Sequence, residues 1–189
     1  MVDDKRTAIL NATMDLVAER GFHGTPMSLV ARRSGVSTGI IYHYFEGKDA
    51  LIHTLYFDIK TRFSAALMLG DPGAQPWPDH LLTIWRNAFN FYANHPRETV
   101  FLEQYENSPY MPNMAVHMDF DANTQALASL IETDVADGRL RPMPVDVMYV
   151  LSLGVALGLA KRQIAGSIDL DDAALTEIAE ALVRALEPR

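Results

Sequence analysis

Apolar side chains recur along this chain at intervals of three and four, the period of an amphipathic helix, and no stretch sustains strand-like alternation. From about residue 4 to 20 the stripe Ile9, Leu10, Ala12, Met14, Leu16 and Val17 predicts a first helix, stopped by Gly21 in the left-handed conformation that glycine favours. Thr25 is placed to cap a second helix with Pro26 in its first turn, and Ser34-Gly35 ends it. Ser37 caps a third, reaching Tyr44, and a fourth is expected over about 49–69. Gly70-Asp71-Pro72-Gly73-Ala74-Gln75-Pro76-Trp77-Pro78 is the most broken segment and reads as a junction. Beyond it the pattern predicts helices at about 79–93, 97–106, 113–137, 145–166 and 172–186. The expected fold is all-α, with nine helices. By role, residues 1–48 form one domain and 49–189 a second.

The second and third helices, joined at Gly35, have the length and turn of a helix-turn-helix. Val30, Ala31, Val36, Ile41 and Phe45 are spaced to pack the pair onto the first helix. That packing leaves Ser37, Thr38, Gly39, Tyr42 and His43 on the outer face and N-terminal end of the third. In this motif such residues reach base edges in the major groove, while the preceding helix crosses the backbone. Thr38 and His43 are therefore the candidate base readers, and Gly39 allows close backbone approach. Thr25, Ser37, Tyr42, Tyr44 and Lys48 suit phosphate, through hydroxyl, ammonium and helix-end N–H donors. The competing reading is a plain three-helix core in which Tyr42 and Tyr44 only pack.

Charge refines this picture. The net charge is −8, but residues 1–60 hold seven basic and seven acidic side chains, so the deficit lies entirely beyond residue 60. Ser28 to Lys48 carries three basic residues against one acidic, with His43 in addition. An acidic body with one locally basic end suits a protein that presents that end to DNA.

Taken together, Gly24-Thr25-Pro26-Met27-Ser28-Leu29-Val30-Ala31, Ser34-Gly35-Val36-Ser37-Thr38-Gly39-Ile40-Ile41-Tyr42-His43-Tyr44-Phe45 and Gly47-Lys48-Asp49-Ala50-Leu51 resemble the signature of the TetR family of bacterial repressors. The match covers about residues 5–55; the remainder agrees in length and helical layout. Ser28-Leu29 stands where that family often has a charged pair, and Thr38 where lysine, arginine or proline is common. The resemblance implies a homodimeric one-component regulator of nine or ten helices, with an effector pocket in the larger domain.

The second domain is rich in large soft side chains between Trp77 and Phe120. Aromatics and methionines line adaptable apolar cavities, so Trp85, Phe89, Tyr92, Tyr105, Met111, Met114, His117 and Met118 are the candidate effector residues, the alternative being ordinary core. They favour a hydrophobic or aromatic effector. His117 with Asp119 and Asp121, or His95 with Glu103, lack a dedicated ligand spacing, so no metal and no cofactor are expected. The segment 147–160 is apolar on nearly every side, at about 14 residues shorter than a bilayer span, and must be covered all round. With a narrower stripe in the last helix it predicts a dimer interface through Leu151, Gly154, Val155, Gly158, Leu175, Ile178 and Leu182.

Two other functions compete with this reading. An enzyme is disfavoured: there is no cysteine, nucleophile elbow, phosphate-cradling loop or metalloprotease helix, and Ser37 and His43 face different ways on one short helix. No catalytic residue is assigned. A helical protein–protein adaptor, with the helix-turn-helix kept for packing, would lack salt-dependent DNA binding. The N-terminus has no apolar signal core, so the expected setting is cytoplasmic, and the expected partners are a double-stranded DNA operator, a small-molecule effector and a second copy of the chain, with no membrane.

Overall fold

The computed structural model describes residues 2–111 and 121–188, and every regular element among them is helical. Helices α1 (Val2–Arg20), α2 (Met27–Ser34), α3 (Thr38–Tyr44) and α4 (Lys48–Leu67) precede a 3-10 turn at Pro72–Ala74. Then follow α5 (Asp79–Asn94), α6 (Pro96–Glu106), α7 (Ala122–Ala136), α8 (Val145–Leu151), α9 (Leu153–Ile164) and α10 (Asp172–Leu186). These are the nine expected helices with one divided in two at Ser152, and with the start of the expected 113–137 helix outside the described residues. Ser37, Asp121 and Asp171 each cap a helix by accepting a backbone N–H three residues on.

The described chain forms two compact units. The first comprises residues up to 60 together with 97–111. The expected α1 stripe is its core: Ile9, Leu10, Ala12, Met14, Leu16 and Val17 are all buried, with Ile41 of α3 and Leu51, Ile52, Leu55 and Ile59 of α4. Helix α6 belongs here, although a linear cut at residue 48 assigns it elsewhere. Phe101 and Tyr105 are fully buried, and Arg97 pairs with Asp15 of α1. Thr25 does not cap α2. Its side chain is buried and its hydroxyl donates to the Gly21 carbonyl at 2.9 Å, while Pro26 occupies the cap position and its carbonyl takes the first helical N–H. The short 21–24 loop forces this: a Cβ on Gly24 would lie 2.4 Å from the Arg20 carbonyl oxygen, so the backbone doubles back tightly and draws Thr25 inward.

The second unit, 61–96 with 121–188, is built around α5. Ile84, Trp85, Ala88, Phe89, Phe91 and Tyr92 are buried, and α9 and α10 pack on this helix. The α9 contribution is Ala156, Leu157 and Ala160; that of α10 is Leu175, Ala179, Val183 and Leu186. Leu175 therefore faces its own subunit's core and is not a dimer-interface residue, whereas Ile178 and Leu182 stay half-buried on the flank. The α8–α9 break is local: Ser152 has ψ −86°, its hydroxyl donates to the Met148 carbonyl at 2.6 Å, and its own carbonyl accepts the Trp85 indole N–H at 3.2 Å. A Cβ on Gly154 would approach the Tyr149 carbonyl at 3.3 Å, so this glycine serves the break as well as the surface. By length and composition alone residues 145–164 are apolar enough to cross a membrane, a longer run than the expected 147–160. The break and the burial of Ala156, Leu157 and Ala160 make it part of this unit.

A buried polar group ties the two ends of the second unit together. His80 Nε2 lies 2.7 Å from Asp134 Oδ2 and His80 Nδ1 lies 3.2 Å from the Pro76 carbonyl oxygen. Arg139 reaches the other Asp134 oxygen at 3.3 Å, and the Asp134 carbonyl accepts the N–H groups of Arg139 and Leu140. Both His80 and Asp134 are almost fully enclosed. Removing Asp134 strands the buried His80 ring nitrogen away from water. Asp134→Ala is expected to lower the unfolding free energy by about 1–3 kcal/mol in urea titrations followed by circular dichroism. A loss below about 1 kcal/mol, the scale of exposed ion pairs, would show that the group carries little of the fold.

Candidate nucleic-acid interface

Helix α3 has only seven residues, and its orientation is fixed by which of them are buried. Ile41 and Phe45, four apart, are enclosed against the first unit's core. Ser37, Gly39, Tyr42 and His43 are consequently exposed, with Thr38 and Tyr44 partly so. Tyr42 shows 53% of its surface, unusual for a side chain with so much apolar area. His43 and Tyr44 meet edge to face at 5.5 Å, holding two of the outward rings in a fixed relation. The Ser37 hydroxyl accepts the Ile40 N–H at 3.3 Å, which closes the start of the helix.

Gly35 supplies the turn: its φ of +71° is the left-handed region, and its N–H bonds back to the Ala31 carbonyl. Gly39 is different. Its backbone is helical, and a Cβ there would meet nothing nearer than the Ser37 hydroxyl at 3.9 Å. The fold has room for a side chain at 39 and does not need a glycine, which leaves a bare stretch of backbone on the outer face.

The charges are arranged less simply than their number suggests. Arg33 forms a two-pronged pair with Glu19, at 2.8 and 2.9 Å, so one of the three local cations is matched within the protein. The hydrogen bond from Arg33 holds the Glu19 carboxyl below its usual range. No sequence signal pointed to this pair, fourteen residues apart on different helices. Lys48 opens α4 and donates from Nζ to the Phe22 carbonyl, which leaves two of its three ammonium protons for another acceptor. Thr25, buried and bonded to Gly21, is not available to phosphate and leaves the expected set of contacts.

The expected effector residues divide between the units. Trp85, Phe89 and Tyr92 are packed in the core of the second, where Trp85 and Phe89 stack at 6.1 Å and Tyr92 stacks on Phe63 at 4.9 Å. Tyr105 lies instead in the first unit, in an aromatic cluster with Phe22, His53, Tyr56, Phe101 and Tyr110. Its hydroxyl is 2.8 Å from His53 Nδ1 and its ring stacks on Tyr56 at 4.0 Å. Burial pushes both Tyr56 and Tyr105 up to about 12, so both phenols are neutral throughout the physiological range. Met111 is half-buried in the same unit; Met114, His117 and Met118 lie outside the described residues. Asp121 and His95, raised above as metal candidates, have other partners. Asp121 caps α7 and takes the Ser64 hydroxyl at 2.7 Å, and His95 Nδ1 lies 2.8 Å from the Phe91 carbonyl.

Of the expected dimer residues, Leu151 is exposed, and Gly154, Val155 and Gly158 line a shallow groove of about 310 Å³ with Val150, Leu159 and Arg162. Val145, Val147 and Val150 are exposed on the same stretch. Together these residues form one exposed apolar face.

Comparison with known proteins places both halves. Residues 9–55 match the family described as bacterial regulatory proteins, tetR family, and residues 76–187 match the tetracyclin repressor-like C-terminal domain. An uncharacterised HTH-type transcriptional regulator of Haemophilus influenzae is 26% identical over 97% of this chain and 96% of its own length. The HTH-type transcriptional regulator BetI of Klebsiella pneumoniae is 39% identical over 64 residues, about a third of each chain. The crystal structure of a TetR-family transcriptional regulator from H. influenzae superimposes with a TM-score of 0.82 at 26% identity, covering 98% of both chains. That of a TetR-family regulator from Marinobacter aquaeolei reaches 0.86 at 22% identity, covering 99% of this chain and 97% of the other, and shows the shared fold. With both domain models matched in order along one helical chain, this protein belongs to the TetR family and is a transcriptional regulator with a helix-turn-helix DNA-binding domain.

Proposed function

We propose that the protein is a homodimeric, ligand-responsive repressor, cytoplasmic in setting, that binds a pseudo-palindromic operator and is released by a small hydrophobic or aromatic effector. The observation that carries the DNA-binding half of this reading is the outer face of α3, where Tyr42 and His43 are exposed beside a glycine the fold does not require. Thr38 and His43 read bases; Ser37, Tyr42, Tyr44 and Lys48 hold phosphate. Two recognition helices related by a two-fold axis would enter successive major grooves about 34 Å apart. The dimer reading rests on the exposed apolar face of 145–164, completed by Ile178 and Leu182. The effector reading rests on the run of large aromatic and methionine side chains between Trp77 and Phe120 in the sequence. An effector acts by binding the released state more tightly than the operator-bound one, with about 1–3 kcal/mol of coupling typical.

Selection from a randomised duplex pool at about 150 mM salt is expected to enrich a two-fold symmetric site. With that operator, Tyr42→Ala should abolish binding in gel-shift titrations while sedimentation still shows a dimer. Intact binding would remove α3 from the interface. Gly39→Ala separates fold from recognition. It should leave thermal stability unchanged or raise it by up to about 1 kcal/mol, because alanine is the better helix former. At the same time it should weaken operator binding by about 1–3 kcal/mol, the scale of a specific base contact. Equal operator affinity would mean that DNA does not approach the backbone at 39. Leu151→Glu, placed on the exposed apolar face, should yield folded monomers in sedimentation velocity. A stable dimer would put the interface elsewhere.

A further inference from the structure

The first unit contains a connection that the helix-turn-helix alone does not explain. The Phe22 carbonyl oxygen, in the tight loop between α1 and α2, accepts two donors: the Thr25 N–H at 3.2 Å and the Lys48 ammonium. Both lone pairs of that oxygen are thereby used. The Phe22 ring is buried against α6 and the turn that follows it, 5.8 Å from Phe101, 6.4 Å from Tyr105 and 5.0 Å from Tyr110. Burial and the neighbouring Asp49 carboxylate, next to Lys48, hold the Tyr110 phenol above its usual range. The turn carrying Tyr110 is itself fixed: the Ser108 hydroxyl donates to the Tyr105 carbonyl at 2.7 Å and accepts the Tyr110 N–H at 3.2 Å.

One side chain thus reaches Lys48 by two routes. Through its ring, Tyr110 supports the loop whose carbonyl holds the ammonium; its phenol also neighbours the Asp49 carboxylate beside Lys48. We infer that Tyr110 is a positioning residue for DNA binding, setting the Lys48 ammonium in place for an operator phosphate without touching DNA itself. The inference rests on the reading of Lys48 as a phosphate contact. A free lysine loses rotamer freedom when it settles on a phosphate, and one already held by a carbonyl loses less. The anchor uses one ammonium proton and leaves two directed elsewhere. Because a phosphate contact carries no base information, this residue governs affinity and salt dependence, not sequence preference.

The test uses the full-length protein, the selected operator duplex, and affinity measured across a salt series. Lys48→Ala should make the salt slope shallower by about one per half-site, the signature of one lost phosphate contact. Tyr110→Ala should weaken binding, reproduce a large part of that change in slope, and leave the enriched sequence unaltered. In the double variant Tyr110→Ala should add nothing to Lys48→Ala. A Tyr110→Ala protein with weaker binding but the wild-type slope, or with effects fully additive to Lys48→Ala, overturns the inference and leaves Tyr110 a packing residue. A Lys48→Ala protein with the wild-type slope overturns the underlying reading of Lys48, a different failure. Should Tyr110→Ala not fold, Tyr110→Phe and Asp49→Asn keep the ring packing and carry the same test: a shallower slope supports the role of the hydroxyl, and an unchanged one removes it.

Discussion

A seven-residue helix has no stability of its own in water, since a nucleus of one turn is costly and few residues follow to repay it. Helix α3 exists because Ile41 and, at its C-cap, Phe45 are buried in the first unit, each contributing about 1.5–3 kcal/mol by removal from water. That constraint decides the outer surface. With Ile41 and Phe45 turned in, Ser37, Gly39, Tyr42 and His43 have to point out, and a rotation by one position would bury Tyr42 and expose Ile41. The face proposed for recognition is thus a by-product of core packing in the first unit. The caps at Ser37 and the left-handed Gly35 only fix where the helix begins.

The same unit shows why a count of charges is a poor guide to a DNA-binding face. Its cations are largely assigned to intramolecular partners: Arg33 to Glu19, Arg97 to Asp15, Arg6 to Asp58 at 3.6 Å. Exposed pairs of this kind contribute little to stability. Their consequence is placement, because they determine which cations face outward. In the proposed DNA complex, attraction for phosphate would depend less on bulk charge than on a few donors held at fixed points, with Lys48 on the Phe22 carbonyl as one of them. A protein with a net charge of −8 needs that economy.

What the sequence revealed, and what it hid, follows from the range of the interactions involved. Helix periodicity, the cap at Ser37 and the stops at Gly21 and Gly35 are local, and each is legible from neighbouring residues. The α1 core stripe was legible for the same reason. Thr25 was misread because its surroundings, a loop too tight for any residue but glycine at 24, are set by contact with Arg20 and not by the Thr-Pro pair itself. The Ser152 break has no proline and no left-handed glycine to announce it; it is stabilised by a Trp85 N–H that arrives from 67 residues away. The His80–Asp134 pair, 54 residues apart, and the membership of α6 in the first unit were invisible on the same grounds.

Helix α10 makes the remaining point. Its apolar stripe looked like an interface, yet Leu175, Ala179, Val183 and Leu186 are taken up by α5, and a side chain cannot be buried in its own core and against a partner at once. Only Ile178 and Leu182, on the flank of that stripe, are left for a second subunit. The weight of the proposed dimer therefore shifts to 145–164, whose inner face packs on α5 through Ala156, Leu157 and Ala160 while Val145, Val147, Val150 and Leu151 stand exposed. There the groove floor is Gly154 and Gly158, and at Gly158 a Cβ would meet only the flexible end of Arg162, at 3.5 Å. In the proposed dimer, Gly158, where only that flexible end would have to move, would admit a helix of the partner closely, and close approach is what turns exposed valines into buried area.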